Sequence, residues 1–352
     1  MLQKIFFILF VLVLAWGCSS NVSKKDSGRL IIYPPPPEKT RIQYLTSFSS
    51  SKDILGEQSG FLEYVTGEED EVGEIIKPYG IAIYKGKIYI CDTILGGIEI
   101  IDLKEKTFEY FQPSGLGQFK KPINCYKDKS GKLFVVDAER NQVLVFDDNE
   151  EFVTAFGERV LVRPTDVTVY NNRIYVSDLK GHNIKVFDFE TKEFIEALPS
   201  SEGGSANSLF SPSNICLCGD YLYVSDIGDA KVKWYTLEGE LVDSVGSFGR
   251  GLGQFVRPKG IAVDDSLNLY VVDAGFENIQ IFNREGDLLM FFGGAYKKPG
   301  DMWLPAKVII DYDNLEYFQQ YVNDRYLLKY LIFVTNQYGP DKISVYGYVN
   351  EK

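Results

Sequence analysis

His182 is the only histidine in the 352-residue chain, and that sets the first limit on its chemistry. Zinc and di-metal centres built from several imidazoles are excluded, although one histidine is enough for a Ser-His-Asp triad. His182 itself falls in Asp178-Leu-Lys-Gly-His182-Asn183, a turn-like stretch between two apolar runs. No Cys-x-x-Cys-His occurs, so covalent c-type haem is excluded. Beyond Cys18 the cysteines are Cys91, Cys125, Cys216 and Cys218. The last two alternate in one apolar run, near the upper limit of disulfide reach, and all four read as buried free thiols. A Cys-x-Cys metal pair is the alternative, but it has no further His or Cys near it in sequence.

Three further sets of polar residues recur at fixed distances from prolines. One residue before the proline stand Lys77, Lys121, Arg163 and Arg257, with Ser211 and Leu304 at the two remaining places. Two residues after it stand Asn124, Asp166, Asn214 and Lys307, with glycine at the other two. Asn124, Asp166 and Asn214 are the oxygen donors of a candidate Ca²⁺ site, but such a cation takes six to eight oxygens and no Glu stands out to complete the set. Polar side chains lining a water-filled channel are the alternative, and no cofactor is expected. Asp92, Asp137, Asp178, Asp226 and Asp273 each end an apolar run fourteen or fifteen residues after a proline, and Asn336 takes that place in the last copy. Asp side chains bond backbone groups two or three residues on, so this series reads as a ring of structural turns.

The elements that position these residues are six copies of one unit. Pro78, Pro122, Pro164, Pro212, Pro258 and Pro305 each open a short β-branched run, 42 to 48 residues apart. A second strand follows, ending in Asp, and then a third, such as Val143-Leu-Val-Phe146 or Ile279-Gln-Ile-Phe282. Five copies add a fourth, as in Phe152-Val-Thr-Ala-Phe156. Four strands per unit of this length is the period of a β-propeller blade, and 32 Gly with 23 Tyr and 24 Phe suit short strands joined by tight turns. The sixth copy stops after its third strand. Arg41 to Phe48 supplies the missing one and hides two sheet edges. The expected architecture is all-β, one six-bladed propeller over residues 41–350 closed by its N-terminal strand. Within it, the loop before each proline and the loop after each Asp share one face. Sixteen extra residues in the last copy, with Leu315, Phe318 and Val322 at helical spacing, predict a short amphipathic helix on the opposite face, read as a plug of the channel or, as the alternative, a partner-binding helix.

Gly251-x-Gly253-Gln254-Phe255-x-x-Pro258-x-Gly260-Ile261-Ala262-Val263-Asp264 and Gly115-x-Gly117-Gln118-Phe119-x-x-Pro122 resemble the consensus of the NHL family of six-bladed propellers. The stretch from Val334 to Tyr346 is similar to the ending of bacterial NHL lipoproteins. The resemblance covers roughly 300 residues and implies the fold. Function follows less directly, because the family includes binding scaffolds and a few enzymes. Asn124, Asp166 and Asn214 also resemble the channel-mouth metal ligands of gluconolactonase-like hydrolases. The NHL-type amidating lyase needs several histidines that this chain lacks.

Residues 1–17 hold Lys4 and an apolar run from Ile5 to Leu14, too short to span a bilayer and suited to a signal peptide. Gly17-Cys18-Ser19-Ser20 resembles a bacterial lipobox, which implies removal of residues 1–17, acylation (palmitate included) at Cys18, and, with Ser19 in place of Asp, sorting to the outer membrane. Residues 18–40, with Pro34 to Pro37, read as a disordered tether. The net charge of -12 makes nucleic acid a poor partner. The acidic run from Glu68 to Glu71, with Glu74, reads as a solvated loop or a docking patch for a cationic partner. The expected function is that of a monomeric envelope lipoprotein binding another envelope protein. The rivals are a channel-mouth metal-dependent hydrolase or lyase, and a carbohydrate or peptidoglycan binder.

Overall fold

The computed structural model describes residues 30–55, 72–200 and 207–352, so the proposed signal peptide, Cys18 and the run from Glu68 to Glu71 lie outside the described residues. Strands β1 (Ile32–Tyr33) and β2 (Ile42–Phe48) come first, and a single helical turn α1 (Lys52–Leu55) follows. Blade one is β3 (Pro78–Tyr84), β4 (Lys87–Asp92), β5 (Gly97–Asp102) and β6 (Thr107–Phe111). Blade two is β7 (Pro122–Lys127), β8 (Leu133–Asp137), β9 (Gln142–Phe146) and β10 (Phe152–Phe156). Blade three is β11 (Pro164–Tyr170), β12 (Arg173–Asp178), β13 (Asn183–Asp188) and β14 (Phe194–Leu198). Blade four is β15 (Pro212–Cys218), β16 (Tyr221–Asp226), β17 (Lys231–Thr236) and β18 (Leu241–Val245). Blade five is β19 (Pro258–Val263), β20 (Leu269–Asp273), β21 (Asn278–Phe282) and β22 (Leu288–Gly293). Blade six is β23 (Pro305–Asp311), β24 (Tyr326–Asn336) and β25 (Ile343–Glu351), completed by β2.

Every blade is an antiparallel meander, and the innermost strands β3, β7, β11, β15, β19 and β23 touch in that order and close back from β23 to β3. The second and third strands read as continuous apolar runs because blades cover them on both faces; all five residues of Leu-Phe-Val-Val-Asp in β8 are buried. Fourth strands such as β6 are mostly exposed or half-buried, since water lies outside the ring. The core is therefore a series of layers between neighbouring blades. Phe146 and Leu144 pack with Tyr89 and Ile98 between blades one and two. Phe187 and Val176 pack with Phe134 and Val145 between blades two and three.

Closure is by the expected strand: β2 pairs with β25, with Ile42 opposite Tyr348 and Phe48 opposite Ile343. The strands of blade six begin earlier than the expected boundary at residue 41. β1 adds a fifth strand to blade six, pairing Ile32 with Gln43 and Tyr33 with Ile42. Tyr33 holds it there: its hydroxyl donates to the Gly300 carbonyl at 2.9 Å and its ring lies 6.0 Å from that of Phe292. The prolines form the connection back to β2 and do not extend the chain away from the ring.

The long connection of blade six also differs from the expectation. It forms two single 3-10 turns, Leu315–Tyr317 and Gln319–Tyr321, in place of one amphipathic helix. Tertiary contacts pin it at several points and override the helical spacing. Phe318 is buried against Phe48 and Phe333. The Tyr312 hydroxyl accepts from the Asp265 backbone at 2.9 Å, in blade five. Gln43 bonds the Tyr321 carbonyl at 2.8 Å and the Asn323 backbone at 3.1 Å. The insert thus braces blade six and its neighbours. Among the described residues, no helix is long and apolar enough to cross a membrane.

Candidate functional site

The Asp series forms a ring of latches. Asp92 accepts from the backbone N–H groups of Ile76 and Lys77 at 2.8 and 2.6 Å with one oxygen, and from Ile94 and Leu95 at 2.8 and 2.9 Å with the other. Asp137 does the same for Lys120, Lys121, Glu139 and Arg140. Asp178 holds Val162, Arg163 and Gly181, Asp226 holds Phe210, Ser211 and Gly228, and Asp273 holds Val256, Arg257, Gly275 and Phe276. All five carboxylates are fully buried. An ionised carboxylate is an acceptor with about four lone-pair sites, which suits up to four donors. Asn336, with one amide oxygen, accepts only from Trp303 N–H, at 3.4 Å, and uses its NH₂ on the Asp341 carbonyl and Ser344.

These latches tie the loop before each proline to the turn after each second strand. Lys77, Lys121, Arg163 and Arg257 meet the Asp ring through their backbones, and among the described residues their side chains form no ion pairs with it. Lys121 instead faces Glu139 at 3.5 Å, and the Lys77 ammonium stands 4.9 Å over the Tyr338 ring. Arg163 and Arg257 are exposed.

Inside that ring the channel is spanned by side chains from different blades. The ammonium of Lys307, in blade six, reaches Asp166 in blade three at 2.5 Å. Asp166 also accepts from the Ile215 and Val167 backbones at 2.9 and 3.0 Å. Burial lifts the Asp166 carboxyl above the ordinary range while Lys307 pulls it back. Asn124 donates to Asn214 at 3.3 Å, and both are fully buried. The oxygens expected of a Ca²⁺ site are thus committed to each other and to an ammonium. One carboxylate neutralised by lysine does not fit a divalent cation, and no metal-assisted step is derived from these residues.

Glycine at the two remaining places has a steric cause. A Cβ on Gly80 would come within 2.4 Å of the Asn124 backbone, and one on Gly260 within 2.5 Å of Lys307 Cα. The inner strands of blades one and two, and of five and six, approach too closely for any side chain there.

Two residues of this centre escape a reading based on position relative to proline. Tyr79, in blade one, lies against Asn214 of blade four, and burial pushes its hydroxyl up to about 12. Lys259, in blade five, stands 5.0 Å over the Tyr79 ring. The available signal was a cation one place after Pro258, where the other copies carry Tyr79, Ile123, Thr165, Ser213 and Ala306.

Of the other candidates, His182 sits exposed in the turn between β12 and β13 at φ 56°, with its Nδ1 against the Phe210 carbonyl. Cys91 and Cys125 are buried free thiols in the layer between blades one and two, and Cys216 and Cys218 are half-buried and free. Among the described residues no group of three or more His, Cys, Asp or Glu could hold a metal.

No family model matches the chain. Over 65 residues it is 35% identical to the protein brain tumor of Drosophila melanogaster, a stretch that is 18% of this chain and 6% of that protein. The chain therefore spans a small part of that relative's length. Solved structures similar to it include a gluconolactonase from Xanthomonas campestris, with TM-score 0.58, 13% identity and 92% and 98% of the two chains covered. A virginiamycin B lyase from Staphylococcus aureus matches with TM-score 0.54 and 15% identity over 78% and 95%. A chain of a nidogen/laminin complex matches with TM-score 0.51 and 16% identity over 64% and 85%. Proteins named for two chemistries and for a protein complex share the architecture, so the likeness speaks for fold alone: the chain is a six-bladed β-propeller closed by its N-terminal strand.

Proposed function

We propose that this chain is an NHL-type envelope lipoprotein, anchored through Cys18, whose propeller binds an anionic partner protein on the face of the Asp ring. The observation that carries the reading is the placement of exposed apolar side chains on that face. Every blade contributes at least one: Ile94 (62% exposed), Leu116 (78%), Val162, Phe210, Phe248 (76%) and Trp303. Single exposed apolar residues are ordinary, but their recurrence around one opening supports reading that face as an interaction surface. Lys77, Lys121, Arg163 and Arg257 lie in the same loops, and clustered cations steer an anionic partner even on an acidic molecule. A groove of about 610 Å³ at blade two, lined by Leu116, Lys120 and Arg140 together with Glu139 and Glu158, opens on the same side.

A second reading, a carbohydrate or peptidoglycan binder, draws on an open cleft of about 490 Å³ on the opposite face. It is lined by Tyr126, Tyr170 and Phe189, which suit sugar faces. Photo-crosslinking groups at Leu116, Phe248 and Tyr170 separate the two readings. The partner reading expects a protein adduct in native membranes at the first two positions and none at Tyr170. Glycan adducts confined to Tyr170 would replace it with the second.

A further inference from the structure

Lys259 is 7% exposed, and among the described residues no carboxylate, hydroxyl or carbonyl pairs with its ammonium. Among the described residues its one partner is the face of Tyr79. A buried ammonium ordinarily demands a counter-charge, because removing it from water costs several kcal/mol. Here the charged groups acting on it are Arg257 and Lys77, both cations. Burial first, then these two neighbours, lower its pKa to about 8. The contact from blade five to Tyr79 of blade one passes blade six by, so the side chain runs over the end of the channel. Beneath it, Lys307 is already neutralised by Asp166. The buried latch carboxylates beneath the other two cations, Asp92 and Asp273, are occupied by backbone N–H groups.

We infer that Lys259, which lies over the ring of Tyr79, forms with its cationic neighbours Arg257 and Lys77 a carboxylate-binding site at the mouth of the channel. The one buried, unpaired charge matches a monoanion. The planar guanidinium of Arg257 suits the two oxygens of a carboxylate. The apolar rim, with Trp303 and Phe210 on the same face, suits the rest of a ligand such as a peptide ending in a free carboxyl group. The inference rests on the partner reading only for the source of that carboxylate, so its test uses a free one.

The full chain, purified in detergent, is titrated calorimetrically with N-acetylphenylalanine, its neutral amide and inorganic phosphate, in parallel with Lys259→Met and Arg257→Gln. The expected result is saturable binding of the acid, none of the amide, and at least tenfold weaker binding of the acid by either variant. Lys259→Met also reports whether the fold survives. A lysine with a depressed pKa binds fewer protons folded than unfolded, so its cost is fully present below about pH 8 and fades as pH rises toward 10.5. The variant should therefore melt higher than the parent at pH 7, with the gain gone above pH 10.5. No binding of the acid, equal binding of acid and amide, undiminished binding by Lys259→Met, or phosphate held tenfold tighter than the acid would each overturn the site. If the acid binds as expected while partner capture is unaffected by Lys259→Met, the site stands and the partner reaches the face in another way.

Discussion

Two kinds of buried carboxyl group coexist in this propeller and differ in how they are satisfied. The latch aspartates each receive three or four backbone N–H bonds, so replacing one leaves several buried donors without partners. Asp178→Ala should cost ~2–4 kcal/mol in chemical denaturation, and Asp178→Asn less, because one oxygen remains. A loss within measurement error for the alanine variant would contradict the latch. Glu99 is the opposite case. It is fully buried in β5 beside the Asp92 carboxylate, and among the described residues no donor reaches either of its carboxyl oxygens. Burial, then the neighbouring Asp92, push its pKa from 4.5 to about 9. The folded state therefore holds a proton that the unfolded state releases, and stability falls as pH rises through that window. Blade two carries Leu144 at the equivalent place, so Glu99→Leu should stabilise the protein by ~1–3 kcal/mol at pH 8 and by much less at pH 4.5. Equal effects at the two pH values would show that Glu99 is not held protonated.

At the scale of elements, the repeat made most of the architecture legible. Strand order, blade number and the pairing of residues 42–48 with β25 follow from local apolar runs and the missing fourth strand. The Asp latches were legible for the same reason, since half of each latch is a contact two or three residues on. What escaped depends on partners far apart in sequence. Asp166 and Lys307 are 141 residues apart, in opposite blades, and each looked like a separate channel-lining residue. The 3-10 turns at Leu315–Tyr317 and Gln319–Tyr321 arise from contacts with Gln43, Phe48 and Asp265, which helical spacing does not record. β1 was obscured by the prolines after it. Its two residues suggest a graded test of closure. Deleting residues 30–40 should lower the melting temperature modestly, whereas deleting 41–50 should expose two sheet edges and abolish cooperative melting. Equal behaviour of the two deletions would mean that the ring closes without β2.

For the whole molecule, the central claim is that one face of a rigid ring captures a partner at a membrane. Its anchoring half predicts that Cys18→Ala shifts the propeller from the membrane to the soluble fraction, or halts it as a precursor. A mature, acyl-free form that stays with membranes would contradict the anchor. Its binding half depends on cations whose backbones serve the latches while their side chains form no ion pairs with the latch aspartates among the described residues. Charge reversal at those positions can then separate binding from stability. The most direct measurement is capture of the native partner from solubilised membranes by the parent chain and by Lys121→Glu/Arg163→Glu/Arg257→Glu, with melting temperatures taken on the same samples. The account predicts at least tenfold weaker capture at a melting temperature within a few degrees of the parent. Undiminished capture by an equally stable variant would contradict it.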